Sequence, residues 1–155
     1  MKTQNTKALK ASQVKRVWHL VDLKDQVLGR ISTQVASYLI GKDKAFTSPN
    51  IDHGDFVVAI NAKDIRVTGK KRKQKLYQSH SGFPGGFKEF TFDQMMARDP
   101  RKVIEKAVKG MLPKNKLRDQ RMSRLKVFTD SDHPHLSQLS KSQPSQKINN
   151  QAENK

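Results

Sequence analysis

The order of apolar patterns over residues 17–60 is the feature that most restricts the fold of this chain. Residues 17–22 are typical of a strand, and apolar residues then recur at helical spacing from Leu28 to Leu39, with Gly41 placed to end the helix. Residues 56–60 form a continuous apolar run, as expected for a strand covered on both faces. Strand, helix and buried strand together predict a parallel pair with a right-handed crossover, and therefore an α/β fold.

The next segment is predicted to make the sheet mixed. The link 61–64 is too short for a second helical crossover. Residues 65–68 are therefore expected to form a strand that is antiparallel to the preceding one, or that follows it after a single helical turn.

Two helices are expected in the second half. Thr91 and Gln94 have capping-box spacing, which predicts a short helix. Asp99 and Pro100 supply an N-cap and a first-turn proline for a longer one, which Pro113 ends. Its apolar stripe predicts a buried face.

Composition divides the 155 residues into three parts. Residues 1–15 are polar and basic, either a disordered tail or an arm lying along nucleic acid. Residues 16–129 are expected to form one α/β domain, with a last strand at 125–128. Residues 130–155 are rich in serine, glutamine and asparagine, which predicts a disordered tail.

The charge of the chain predicts a polyanionic partner. It carries 31 basic and 14 acidic residues, a formal net charge of +17, which favours nucleic acid over an anionic membrane. The absence of cysteine excludes disulfides and thiolate metal sites and fits a reducing compartment. No apolar run approaches the roughly 20 residues of a membrane-spanning helix.

The basic charge is concentrated in residues 66–88, which hold seven lysines and arginines, one histidine and no acid. Such a stretch is expected to contact phosphates. Tyr77, His80 and Phe83 could stack on an unpaired base, although packing in the core is the simpler expectation for Tyr77 and Phe87. The glycines of this stretch would let main-chain amides reach phosphate oxygens.

Signals for catalysis or metal binding are weaker. The glycines at 82–86 lack the spacing of a nucleotide-binding loop, and the adjacent His80 and Ser81 would point to opposite faces of a strand. His133 and His135 with Asp132 offer metal-ligand types, but they begin the polar tail. The segment 52–55, Asp-His-Gly-Asp, is most simply a turn, with acid–base or metal chemistry as the alternative.

Several motifs in their correct order resemble the universal thirteenth protein family of the large ribosomal subunit. The matching residues are Trp18 to Asp22, Leu28-Gly29-Arg30, Asp52-His53-Gly54-Asp55, Gly69-Lys70, Lys75-x-Tyr77-x-x-His80-Ser81-Gly82-x-Pro84-Gly85-Gly86-Phe87-Lys88, Val108 to Lys114, and Leu125 to Phe128. The resemblance covers about Lys15 to Phe128. The chain departs from the family at 115–118, Asn-Lys-Leu-Arg, where the family often has glycine.

The resemblance implies a three-layer α/β/α domain around a small, four-stranded, mostly parallel sheet. It also implies a non-catalytic structural protein that binds large-subunit ribosomal RNA, supports early subunit assembly and contacts neighbouring ribosomal proteins. No cofactor, metal, small-molecule substrate, membrane or homo-oligomer is expected. The implied location is the ribosome of a bacterial cytoplasm, or alternatively of a mitochondrion or plastid.

Candidate RNA-binding residues come from the basic clusters and from the matching segments 69–75, 80–88 and 110–114. They are Arg30, Lys42, Lys44, Lys70, Lys71, Arg72, Lys73, Lys75, Tyr77, His80, Ser81, Gly82, Gly85, Gly86, Lys88, Lys109, Lys114, Lys116, Arg121 and Arg124. Two other functions fit less well. A nucleic-acid-compacting protein would bind duplex DNA equally, and a nucleotide-using α/β enzyme would bind a mononucleotide near 82–86.

Overall fold

The structure is a computed structural model that describes residues 13–45, 48 and 50–142. The predicted arm at 1–15 therefore lies almost wholly outside the described residues, as does 143–155. The elements, in chain order, are β1 Trp18–Asp22, α1 Leu28–Ile40, β2 Phe56–Ile60, a 3-10 turn Ala62–Asp64, α2 Lys71–Gln74, β3 Leu76–His80, β4 Phe87–Thr91, α3 Phe92–Arg98, α4 Pro100–Met111, α5 Arg118–Ser123, β5 Leu125–Val127 and α6 Leu136–Ser142.

A parallel sheet with the order β1-β2-β5 forms the centre of the molecule, which confirms the predicted parallel pair. Val57, Val58 and Ala59 in the central strand are fully buried, as its continuous apolar run predicted. Gly41 ends α1 in the left-handed conformation, with φ 81°. The α/β class is therefore confirmed.

The main core lies between one face of this sheet and the pair α1 and α4, which pack against each other. Helix α4 begins as predicted, with the Asp99 side chain accepting a hydrogen bond from the Arg101 amide and Pro100 in the first turn. Val103, Ile104 and Val108 on its apolar stripe are fully buried. This stripe holds the second half of the chain against the parallel sheet.

Helix α6 packs on β1 at the opposite face of the sheet, so the helices and the sheet form three layers. The Trp18 ring stacks on Phe56 at 4.4 Å, and His135 packs against Trp18 at 5.2 Å. Leu139 of α6 is 7% exposed. The prediction of disorder from residue 130 therefore does not hold for this helix.

The sheet has three strands among the described residues, where four were expected. The amides of Asn61 and Ala62 donate to the carbonyls of Asp130 and Phe128, which draws the chain into the 3-10 turn after β2. Residues 65–68 then form only a single parallel bridge, between Val27 and Arg66. The helical turn was foreseen, but the strand was not formed.

A separate antiparallel hairpin, β3 and β4, stands beside the sheet. Leu76 and Tyr77, which alternate with polar neighbours, begin β3, whereas β4 was not predicted from the sequence. The helix that follows starts with the predicted capping box: the Gln94 amide donates to the Thr91 hydroxyl, and the Thr91 amide donates to the Gln94 side chain. Because α3 packs on both α4 and the hairpin, it joins the hairpin to the body of the domain.

No helix in the described part of the chain is long and apolar enough to cross a membrane.

Candidate nucleic-acid interface

The basic cluster 70–75 forms one exposed helical turn, α2, followed directly by β3. Lys70, Lys71 and Lys73 are exposed, and none has a carboxylate within ion-pair distance among the described residues. Arg72 differs, because its Nε lies 3.2 Å from the Asp93 carboxylate at the start of α3. The folded chain thus supplies an acid to a stretch that has none in sequence, and it leaves the lysines as the uncompensated charges.

The hairpin tip is shaped by glycine. Gly86 N–H donates to the Phe83 carbonyl at 2.9 Å, and Gly85 between them has φ 71°, which is the turn geometry that favours Pro-Gly at its centre. Gly82, with φ 87°, donates its amide to His80 Nδ1 at 2.9 Å. The Gly82 and Gly86 amides are therefore used inside the hairpin, and the predicted amide contacts to phosphate do not extend to these two.

The hairpin presents apolar side chains at its tip and outer face. Phe83, Phe87 and Leu76 are 73%, 56% and 47% exposed, and His80 is exposed as well. Core packing was the simpler expectation for Phe87, and that expectation is wrong. Phe83 and His80 remain open to contact with a base or a sugar.

Tyr77 is buried at 7% exposure, so it is not available to stack on a base as the candidate list required. The core-packing alternative holds for this residue. Its ring lies beneath two ammonium groups, Lys75 Nζ at 5.3 Å and Lys106 Nζ at 5.4 Å from the ring centroid. Its hydroxyl has no hydrogen-bond partner among the described residues, and burial raises its pKa.

The other candidates divide into exposed and buried groups. The exposed candidates on the hairpin and elsewhere are Arg30, Lys42, Ser81, Lys88, Lys109, Lys114 and Lys116. The last two lie in the link between α4 and α5, where the Asn115 side chain accepts from the Leu117 amide at 3.2 Å and stabilises a turn without glycine. The buried candidates are Arg121 and Arg124, and Lys44 is partly buried.

Arg121 and Arg124 hold a structural ion-pair cluster. Arg124 contacts both oxygens of Asp52, at 2.6 and 2.7 Å, while Arg121 Nε lies 3.5 Å and Arg16 3.8 Å from the same carboxylate. Burial opposes ionisation of Asp52, but the hydrogen bond and charge of Arg124 outweigh it and hold the pKa of Asp52 below its ordinary value. The placement of Arg121 and Arg124 in the RNA-binding set is therefore not supported by their environment.

Lys44 belongs to a second cluster around Asp55. Its ammonium contacts Asp55 Oδ1 at 2.6 Å and donates to the carbonyls of Lys15 and His53. His19 Nε2 lies 3.2 Å from the other Asp55 oxygen. Burial alone would raise the pKa of Asp55, but these hydrogen bonds keep it below its ordinary value. Lys44 thus has intramolecular partners rather than a free charge.

Gly54 lets the two clusters sit side by side against the end of α1. A Cβ at this position would lie 1.9 Å from the Leu39 carbonyl oxygen, so only glycine fits. His53 is buried beside it, with its Nε2 3.1 Å from the Ser48 hydroxyl. Segment 52–55 therefore has a structural role, in ion pairing and close packing, rather than an acid–base one.

No group of residues in the described ranges could hold a metal ion. The rings of His133 and His135 pack against Phe128 instead. Sequence reasoning missed Arg16, Asp52 and Asp55 as an ensemble. The available signal was the excess of 31 basic over 14 acidic residues, because a carboxylate that becomes buried in such a chain is expected to be paired with a cation.

The site that remains is a set of exposed cations along the hairpin, with Lys70, Lys71 and Lys73 at its base and Lys88 toward the exposed aromatic tip. Lysine is a flexible point charge suited to phosphate, and exposed rings suit bases or sugars. Chemically, this surface can bind a polyanion with unpaired bases.

Comparison with known proteins gives consistent results. The family model described as ribosomal protein L13 matches residues 16–134. The chain is 50% identical over 136 residues to the large ribosomal subunit protein uL13 of Roseiflexus sp. (strain RS-1), with 88% of this chain and 93% of that protein covered. It is 50% identical to the protein of the same name from Syntrophotalea carbinolica, covering 86% and 94% of the two chains, and 52% identical to that of Pseudomonas putida, covering 83% and 91%.

Proposed function

Because this chain belongs to the ribosomal protein L13 family, we propose that it is a structural component of the large ribosomal subunit. Its relatives carry that subunit in their names and come from bacteria. The proposed location is therefore the ribosome of a bacterial cytoplasm, with an organellar ribosome as the alternative. We propose that it binds ribosomal RNA during subunit assembly and remains in the mature subunit without catalysing a reaction. It is proposed to be present as a single copy that contacts neighbouring ribosomal proteins.

The observation that carries the RNA-binding part is the set of unpaired lysines on α2 and β4. Lys70, Lys71, Lys73 and Lys88 are exposed and lack carboxylate partners in the described ranges, whereas the buried basic residues Arg121 and Arg124 are paired with Asp52. The fold separates structural cations from free ones. Free cations clustered at α2, with a further one on β4, favour a partner that supplies phosphates.

Salt dependence gives this proposal a magnitude. Four neutralised phosphates predict a log–log slope of about −2.8 to −3.6 for RNA, and raising salt fourfold would then weaken binding about 50- to 150-fold. The measurement is the affinity of the full chain for a large-subunit ribosomal RNA transcript at several salt concentrations. A flat salt response would reject phosphate contact as the basis of binding.

A matched pair of variants tests the location. Lys71→Glu with Lys73→Glu should reduce the magnitude of the slope by about 1.4 to 1.8, because two phosphate contacts are lost. Lys24→Glu with Lys126→Glu changes the net charge equally at exposed positions outside the proposed surface. We expect the first pair to fail in subunit incorporation and the second to succeed, both with wild-type circular dichroism. Equal behaviour of the two pairs would mean that only net charge matters.

Competition with duplex DNA separates this function from that of a compacting protein. The exposed tip residues Phe83 and His80 favour folded RNA with unpaired bases over a regular duplex. Ribosomal RNA should therefore displace bound duplex DNA, and the reverse should not occur at equal nucleotide concentration. Equal competition would favour the compacting protein.

A further inference from the structure

Two ammonium groups from different elements converge on one buried ring. Lys75 lies between α2 and β3, and Lys106 lies on α4, yet their Nζ atoms are 5.3 and 5.4 Å from the centroid of the Tyr77 ring. The two charges are thus within about 11 Å of each other. Both side chains are exposed, so each ammonium can swing through several ångström.

The ring beneath them is a fixed platform. Tyr77 is buried and pairs across the hairpin with Phe90, whose ring carries Arg98 at 5.3 Å. A cation over an aromatic face is attracted by the ring, so the Tyr77 and Phe90 rings together draw Lys75, Lys106 and Arg98 to the junction of the hairpin and the helices.

The two lysines of this junction lack acidic partners in the described part of the chain. Neither Lys75 nor Lys106 has a carboxylate within ion-pair distance among the residues that the structure describes. Lys102, one turn earlier on α4, differs because it lies 3.9 Å from Asp99. Like charges gathered without a counter-ion favour an anion between them.

We propose that Lys75 and Lys106 bind one phosphate of ribosomal RNA at the junction of the hairpin and α4. This inference rests on the proposed function and adds a residue, Lys106, that the sequence did not single out. A phosphate held there contacts both the hairpin and the domain body. It therefore adds a contact between the hairpin and α4 beside the buried Tyr77 ring.

A double-mutant cycle tests the shared phosphate. Losing one phosphate contact weakens binding about 3- to 4-fold at about 0.2 M salt. Lys75→Gln and Lys106→Gln should each weaken binding of the full chain to the ribosomal RNA transcript by up to this factor. Because they share one phosphate, the double variant should lose no more than roughly the same factor.

Independent contacts would instead multiply to about 9- to 16-fold, and that result, or wild-type affinity of Lys106→Gln, would overturn the proposal. In the control cycle, Lys102→Gln takes the place of Lys106→Gln, because Lys102 lies one turn earlier on α4. Lys102→Gln and Lys75→Gln should show no coupling. If the wild-type chain bound the transcript without salt dependence, the proposed function would fail together with this inference. If the salt dependence stood and coupling were absent, only this inference would fail.

Discussion

Replacing Asp52 by asparagine should strongly destabilise the domain. The Asp52 side chain is 10% exposed, and it neutralises Arg124 and Arg121, whose side chains are 7% and 4% exposed. The substitution leaves two buried guanidinium groups without their carboxylate. Removing one partner of a buried pair costs about 3 to 5 kcal/mol, a large share of the 5 to 15 kcal/mol that typically stabilises a domain.

Equilibrium unfolding in urea measures this loss. With a slope of about 2 kcal/mol per molar, the midpoint should fall by roughly 2 M, and the melting temperature by roughly 10 °C or more. Trp18, the single tryptophan, reports on the sheet through its stacking on Phe56.

The matched control is Asp25→Asn. Asp25 pairs with Arg66, and both side chains are more than half exposed, so the loss should stay below about 1 kcal/mol. Asp25 has φ 57°, a conformation that asparagine also tolerates. If the free energy of unfolding of Asp52→Asn lay within about 1 kcal/mol of the wild-type value, the Asp52 cluster would not stabilise the fold. Arg121 and Arg124 would then return to the set of candidate RNA contacts.

Three further predictions concern segment 52–55 and the hairpin. The pKa values of Asp52 and Asp55 are lowered in the folded chain, so the unfolded chain binds more protons in acid. The contribution of these two carboxylates to the free energy of unfolding should therefore be complete above about pH 5 and should fall as the pH drops through about 4. Urea midpoints that stay constant down to about pH 3 would contradict this. Gly54→Ala should lower the free energy of unfolding by at least about 1 to 3 kcal/mol, because its Cβ would meet the Leu39 backbone. The control Gly110→Ala, whose Cβ has open space in α4, should be neutral or stabilising. Equal melting temperatures of the two variants would refute the close approach at Gly54. Tyr77→Phe removes a buried hydroxyl that has no partner in the described ranges, so stability should be unchanged or raised and RNA affinity unchanged; a clear loss of either would show that the hydroxyl has a partner.

The parallel core was predictable because its signals are local and strong. The helical spacing of α1, the apolar run of β2 and the Asp99-Pro100 start of α4 each specify an element without reference to the rest of the chain. Strand β4 was missed because Phe87 to Thr91 alternates poorly and gains its partner only through the hairpin register. Helix α6 was missed because its sequence is polar; in the structure it packs on β1, and its Leu139 is buried.

The roles of the basic residues were the least predictable part. A lysine or arginine has the same local signature whether it meets phosphate or a buried carboxylate. Arg124 and Asp52 are 72 positions apart, and Lys106 reaches Tyr77 from a different element. Sequence reasoning therefore found the charge of the surface but could not separate structural cations from free ones.

Sedimentation of a lysate from cells that produce this protein tests the central claim most directly. We expect the chain to travel with the large ribosomal subunit, at about one copy per particle, and to leave it as the phosphate contacts are weakened by salt. A chain that stays at the top of the gradient, while intact large subunits form without it, would contradict the account.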